Sequence, residues 1–338
     1  LAESTPVLLG GAALTRTYVE RDLRQVYKGR LFYGKDAFEG LRTMDRLMGL
    51  KDDPTGDAEF GRALGGRDLP ARRGRAKAEQ EQQTVPVRSP DVVTDNPIFV
   101  PPFLGSRIAK GIAIEQVAEY LNETALFRNQ WGFRPNRGEP DAEFKTRVRA
   151  VLREQLDEAI AANVLLPMAA WGYYAANGDG DDLVIWTDEE RSQERMRFHF
   201  PRQAEAPWLC IADFFRPIDS GELDFAAFHV VTTGSAVTEA AGRLFSGNQY
   251  RDYLMLHGLG VEMAEALAEY WHRRIREEWG FADEDGPNLL GLFRQQYRGG
   301  RYSFGYPACP DLADNAKVAE LLEVDRIGVA VSEEHQFH

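Results

Sequence analysis

The sequence predicts an α+β domain with a central, largely antiparallel sheet flanked by helices, preceded by the end of an α/β unit. Three observations carry this. The first fifty residues alternate strand, helix, strand, helix, the pattern of a doubly wound parallel sheet. Residues 51–98 lose apolar periodicity and gain Gly, Pro and charge, as a solvated linker does. From residue 99 onward strand patterns gather in the middle of the chain, with helical patterns on either side, which favours segregated helices over βαβ alternation.

Taken in order, "PVLLGG" is a short apolar strand ending in two glycines, and "ALTRTYVERDLRQVYKG" is a helix stopped by Gly29. "RLFYG" is a second strand and "KDAFEGLRTMDRLMGL" a second helix. This is too little for a complete doubly wound sheet, so the unit reads as the tail of a longer one. The absence of an initiator Met fits a chain cut from something larger. The basic cluster "ARRGRAK" in the linker reads as a solvated surface rather than a nucleic-acid patch.

Beyond the linker, "AIEQVAEYLNE" and "EFKTRVRAVLREQLDEAIAA" have helical spacing. "MAAWGYYAANGDGDDLVIWTDEE" alternates across an NGDGD turn and predicts a hairpin. Further strands are expected at "ERMRFHF", "WLCIADFF" and "FAAFHVVTTG", the last mostly apolar and therefore central. "YRDYLMLHGLGVEMAEALAEYWHRRIREEW" is helical with an interruption at Gly258–Gly260, "LLGLFRQQY" is a short helix, and "DNAKVAELLEV" a last one.

The chain carries a formal charge of −13, which argues against nucleic acid or an anionic membrane as its partner. No apolar run approaches the length of a membrane span and no signal peptide is evident. Two cysteines, Cys210 and Cys309, form neither a metal spacing nor a disulfide framework, as in a reducing cytoplasm. GxSxG, GxxxxGK[ST], HExxH and CxxC are all absent. The "GDGDD" at 178–182 lacks the spacing of a calcium loop. The six histidines are scattered, so neither a triad nor a zinc site is expected. Glu265 shares a helix with Glu262, Glu269 and Arg273, a pattern that reads first as a solvated face with a Glu269–Arg273 i,i+4 pair.

"RYSFGYPACPD" at 301–311 is different. Tyr306 and Cys309 each precede proline and are held extended. Gly305 allows a positive φ or a close backbone approach, and Pro310 suits the first turn of the helix that follows. Arg301 brings a fork matched to a carboxylate or phosphate. The stretch reads equally as a rigid cradle for a small anionic ligand, with Tyr306 packing on a flat ring, or as a Pro-rich turn with its Cys in the core.

The same stretch resembles the RxxxGYPACP signature of the reactivation domain of the cobalamin-dependent methionine synthase family. "AEYLNETALF", "ANGDGDDLVIW", "LCIADFFRP", "FHVVTTG" and "AEALAEYWHRRIREEWGF" agree in order along the chain. "PVLLGGAALTRTYVERDL" through "KGRLFYGKDAFEGLRTMDRL" is similar to the last third of that family's Rossmann-like cobalamin-binding domain. The resemblance therefore implies three parts: the end of a cobalamin domain at 1–50, a linker at 51–98, and an S-adenosylmethionine-binding reactivation domain at 99–338.

It also implies a function. Methionine synthase moves a methyl group from methyltetrahydrofolate to homocysteine by way of methylcobalamin. Its reactivation domain binds S-adenosylmethionine, which remethylates cobalamin after accidental oxidation to cob(II)alamin, with one electron from a flavodoxin-like or other reductase. No general base is required, and positioning is the protein's task. Zinc belongs to the N-terminal region of that enzyme, which lies outside this sequence. By resemblance Arg301 pairs with the methionyl carboxylate, Ser303 lies along the ligand, and Gly305 and Tyr306 shape the pocket. Asn122 stands where better-known members have Asp facing the ammonium group, and otherwise reads as a helix C-cap. Glu265 lies near the S-adenosylmethionine or cobalamin face. Gly10, Gly11 and Ala12 line the slot for the cobalamin nucleotide tail.

There are departures. Leu312 replaces a His that follows the signature in some members. The DxHxxG motif that ligates cobalt is absent, and so is a C-terminal strand with aromatic contacts to S-adenosylmethionine. These departures imply weakened ligand binding. They also leave an alternative, a non-catalytic module that docks an electron-donor protein.

Overall fold

The computed structural model describes residues 5–10, 14–35, 37–52, 60–62, 85–286 and 288–338. Two compact units divide at Thr84 and Val85. The basic cluster at 71–77 and most of the linker lie outside the described residues.

In the first unit β1 (Val7–Gly10) pairs in parallel with β2 (Leu31–Gly34). Between them π-helical turns at Tyr18–Leu23 run into α1 (Arg24–Val26), and α2 (Ala37–Asp52) follows β2. Parallel neighbours joined by a helix are what the sequence predicts for an α/β sheet. At Gly10 an added Cβ would lie 2.8 Å from the Gly34 carbonyl oxygen, so a side chain there would push the two strand ends apart.

The second unit is built on a five-stranded antiparallel sheet. Its middle is the long strand β4 (Met168–Asp179). One side of β4 carries β3 (Gly105–Ala109) along its first half and β5 (Asp182–Trp186) along its second. β6 (Glu194–His199) extends β5, and β7 (Asp224–Thr232) pairs with the other side of β4 from Met168 to Ala176. Gly172 is required by this crowding, since an added Cβ would meet the Gly105 carbonyl oxygen at 2.5 Å. The β4–β5 hairpin turns at Gly180, with φ of +61°. Its acidic residues Asp179 and Asp182 are held by Arg197 at 2.8 and 3.0 Å.

Residues alternate between two cores, as the pleat demands. Ala169, Trp171 and Tyr173 face α3 (Ile114–Ala118), α4 (Asp141–Ala161) and α6 (Tyr250–Trp279). Ala170, Tyr174 and Ala176 face α8 (Asp314–Leu322), Phe198 and Phe228. Neighbouring tyrosines fasten both layers. Tyr173 donates to Glu278 at 2.9 Å on α6 and Tyr174 donates to the Leu321 carbonyl on α8. α5 (Ser235–Ser246) packs on α6, and α7 (Leu289–Phe293) precedes the signature loop.

Four expectations are corrected. β7 is not central: among the described strands it pairs with β4 alone, and its apolar character comes from being covered on both faces. "WLCIADFF" is not a strand but a 3₁₀ turn at Ile211–Phe214. There the buried Asp213 turns inward to take Arg202 at 2.6 and 2.8 Å and the Ser89 amide at 3.0 Å. α6 runs unbroken through Gly258 and Gly260. Those glycines admit Gln130 and Trp131 on one side and Val237 on the other, where an added Cβ would meet heavy atoms at 2.8 and 3.0 Å. Finally, α8 begins at Asp314, so Pro310 precedes its first turn, and the amides of Ala313 and Asp314 are bonded to Asp311.

No described helix is long and apolar enough to cross a membrane, and no described cluster of His, Cys, Asp or Glu could hold a metal ion.

Candidate functional site

A cavity of about 830 Å³ opens in the second unit along β7, on the side that pairs with no described strand. Phe225, Ala227, His229 and Val231 line it from one pleat of β7, and Ala226, Phe228 and Val230 from the other. Residues 298–304 form a wall that joins the two cores. Arg301 is ion-paired to Glu269 of α6, while Phe304 stacks on Phe198 and Phe200 at 5.8 and 6.4 Å.

Among the residues singled out by sequence, Arg301, Ser303 and Glu265 all line this cavity. Arg301 is bonded to Glu269 through Nη2. Glu269 is thus not the partner of Arg273, which binds Glu277 and the Tyr120 hydroxyl instead. Nor is the helix face solvated throughout, because Glu262 is buried and accepts from Gln130 Nε2 at 3.1 Å. Burial raises the Glu262 pKa, opposed by the Gln130 hydrogen bond.

Gly305 and Tyr306 do not line the cavity but build the turn behind its wall. The Gly305 amide donates to the Cys309 carbonyl at 2.9 Å, and the Cys309 amide donates to the Tyr306 carbonyl at 2.9 Å. Gly305 has φ of +95°, and an added Cβ would lie 2.9 Å from Leu312 Cδ2. Leu312 therefore packs beneath the turn, and Tyr306 is 55% exposed. The Cys309 thiol is buried and donates to the Ser303 carbonyl at 3.0 Å; burial pushes its pKa up. The loop is a core-anchored turn, and its leading residues Arg301 and Ser303 line the cavity.

Asn122 is exposed and is not among the lining residues. Its Oδ1 accepts from the Ala125 amide at 3.2 Å, so it starts the π-helical turns Ala125–Gln130 rather than ending a helix. Gly10 is exposed at the end of β1, while Gly11 and Ala12 lie outside the described residues.

Sequence reasoning missed His229, His272, Arg276 and Arg298, which also line the cavity. On α6, positions 265, 268, 272, 276 and 279 share one helical face, which was the available signal. The imidazoles of His229 and His272 are nearly parallel, with centroids 6.4 Å apart. Burial, reinforced by Arg301, pushes His229 down to about 4. Burial, with Arg276, His229 and Arg301 adding, pushes His272 down to about 2. Three guanidiniums, of Arg276, Arg298 and Arg301, and one carboxylate, of Glu265, line the space. Each arginine already has a carboxylate behind it: Asp285 at 2.7 Å, Glu284 at 2.7 Å, and Glu269. The arrangement can hold a small, largely flat ligand with an anionic end. The lining offers positioning rather than a nucleophile–base pair.

Comparisons with known proteins agree on one family. The family described as "Vitamin B12 dependent methionine synthase, activation domain" matches residues 113–338. Methionine synthase of Mycobacterium tuberculosis (strain ATCC 25618 / H37Rv) is 45% identical over the whole of this chain. That of Mycobacterium leprae (strain TN) is 44% identical over the same extent. The chain spans about 30% of the length of each. A crystal structure of the MetH reactivation domain bound to AdoHcy superposes with a TM-score of 0.65 at 28% identity, covering 72% of this chain and 77% of that one.

Proposed function

Because the chain belongs to the family of the vitamin B12-dependent methionine synthase activation domain, we propose that the cavity beside β7 binds S-adenosylmethionine. We assign it the remethylation step that restores oxidised cobalamin in a larger methionine synthase. One observation carries the reading: the RxxxGYPACP signature places Arg301 and Ser303 on the wall of a small-molecule-sized cavity. AdoHcy, bound by the structural relative, is the demethylated form of the proposed ligand.

In this reading the Arg301 guanidinium takes the methionyl carboxylate while Glu269 keeps it oriented. Ser303 and its backbone lie along the ligand. The Gly305–Cys309 turn fixes the wall, and Tyr306 stands on its exposed side. Asn122 stays outside this shell, because it does not line the cavity and its Oδ1 takes the Ala125 amide. Glu265 faces the ligand or the cobalamin that receives the methyl. S-adenosylmethionine supplies the methyl as a sulfonium, which needs no proton transfer from the protein.

Gly10 suits a cobalamin tail slot because it lies at the carboxyl end of a parallel strand, where ligands of α/β sheets bind; Gly11 and Ala12 complete the proposed slot. Residues 1–50 are read as the end of the cobalamin domain, 51–98 as the linker and 99–338 as the reactivation domain. The electron donor is a flavodoxin-like or other reductase, and the setting is the cytoplasm.

The test is calorimetric titration of the chain and of Arg301→Ala with S-adenosylmethionine. Loss of a charge-assisted contact costs about 2–3 kcal/mol, or roughly 30- to 150-fold in affinity. Binding by the parent that collapses in the variant supports the assignment. A parent that fails to bind, or a variant that binds equally well, refutes it.

A further inference from the structure

A second cavity, of about 360 Å³, lies on another face of α6, with Trp171, Trp271, Arg274, Ile275, Glu277 and Glu278 around it. Residues 271, 274, 275 and 278 follow helical spacing. They sit roughly a quarter-turn about the helix axis from the face that carries His272 and Arg276, and Ile275 alone lines both cavities.

The rings of Trp171 and Trp271 meet edge-on, with centroids 4.9 Å apart. Trp271 is 6% exposed, and its Nε1 has no hydrogen-bond partner among the described residues. An indole N–H can only donate, and native structures keep few buried donors without an acceptor. Arg274 is exposed and has no ion-pair partner among the described residues. Glu278 is held the other way: its Oε2 accepts from Trp171 Nε1 at 3.0 Å and from the Tyr173 hydroxyl at 2.9 Å. That grip fixes the carboxylate and leaves Oε1 to accept from a ligand. Glu277 spends its own Oε1 on Arg273 at 3.0 Å.

These groups narrow the choice of ligand. An anion alone would meet the charges of Glu277 and Glu278. A cation alone would meet Arg274 and leave the Trp271 N–H without an acceptor. A carboxylate and an ammonium borne close together answer all three, and the two indoles with Ile275 offer an apolar surface beside them. We propose that this cavity binds a free α-amino acid with an apolar side chain. Its carboxylate accepts from Trp271 Nε1 and Arg274, its ammonium donates to Glu278 Oε1, and its side chain lies against the indoles. The volume suits a small molecule, and a thioether side chain packs well on aromatic rings. The proposal does not rest on the function assigned to the larger cavity.

Calorimetric titration of the full chain with L-methionine tests this, beside N-acetyl-L-methionine, which lacks the ammonium, and L-methioninamide, which lacks the carboxylate. L-methionine should bind saturably, and each derivative about tenfold more weakly, as for loss of one charge-assisted hydrogen bond. Arg274→Ala, at an exposed position, should weaken binding about five- to tenfold, whereas Arg301→Ala in the larger cavity should leave it unchanged. In the parent labelled with ¹⁵N-tryptophan, the Nε1 signal of Trp271 should shift on saturation with L-methionine. Absence of saturable binding, undiminished binding of either derivative or by Arg274→Ala, or a Trp271 signal unmoved at saturation overturns the assignment. Binding lost in Arg301→Ala alone would put the amino acid in the larger cavity, which overturns this assignment and leaves the function proposed there standing.

Discussion

The two cavity imidazoles should make this protein sensitive to mild acid, and the size of the effect follows from their surroundings. His229 and His272 are depressed from an ordinary 6.5 to about 4 and about 2, chiefly by burial. The charged groups around them are Arg301 and Arg276, with Glu265 the one carboxylate in the cavity lining. A folded-state value below the unfolded one means that stability is fully present above pH 6.5. It is then lost as pH falls, because the unfolded chain takes up protons that the folded chain refuses. Between pH 7.5 and 5.5 each ring contributes a loss of about 1.3 kcal/mol, roughly 2.7 kcal/mol for the pair. For His229 the loss continues until about pH 4, and for His272 until about pH 2.

All six tryptophans lie in the second unit, so their fluorescence in urea reports on that unit alone. Comparing the parent with a His229→Gln, His272→Gln double variant at both pH values cancels the carboxylates common to the two. The parent should lose about 2–3 kcal/mol more than the variant over this interval. Equal losses would refute the reasoning, because the imidazoles would then be taking up protons in the folded state.

Two further outcomes follow from packing. Gly258→Ala gains about 1 kcal/mol in helix propensity but sets a methyl 2.8 Å from Gln130 Cβ and 3.1 Å from Trp131 Cδ1. Overpacking of about 1–3 kcal/mol should win, giving a net loss near 1 kcal/mol of unfolding free energy and a lower urea midpoint; a gain would show that α6 yields there. Asp213→Asn leaves Arg202, whose side chain is 6% exposed, without the charge that holds it. Breaking such a buried pair costs about 3–5 kcal/mol, and a thermal melt showing almost no change would mean that Asp181, at 2.8 Å from Arg202, suffices alone.

The long periodic segments were legible. α4 and the β4–β5 hairpin stand where the apolar spacing puts them. The position of β7 was not, because pattern reports which faces are covered, whereas edge or centre is decided by ladder partners elsewhere in the chain. Gly258 and Gly260 look like breaks by local propensity, and only the proximity of Gln130, Trp131 and Val237 shows why glycine is needed inside a continuous helix. At the site, Arg301 and Ser303 were readable because the signature concentrates unusual residues in a short run. His272 and Arg276 lie on a helical face shared with the core, and their place at the cavity is visible only once Asp285 and Tyr297 are placed around them.

The entry strap of the second unit has a consequence of another kind. Arg88 bonds the carbonyls of Asp213 and Phe215, and Arg216 bonds those of Thr94 and Asn96. Arginines that grip main-chain oxygens are indifferent to the side chains those residues carry. The strap can therefore drift in sequence between relatives while its length stays fixed. A substitution at Thr94 or Asn96 leaves the carbonyl in place, whereas inserting or deleting one residue between Arg88 and Asn96 shifts which carbonyl meets Arg216. Lineages should record this stretch as variable in letters and invariant in spacing.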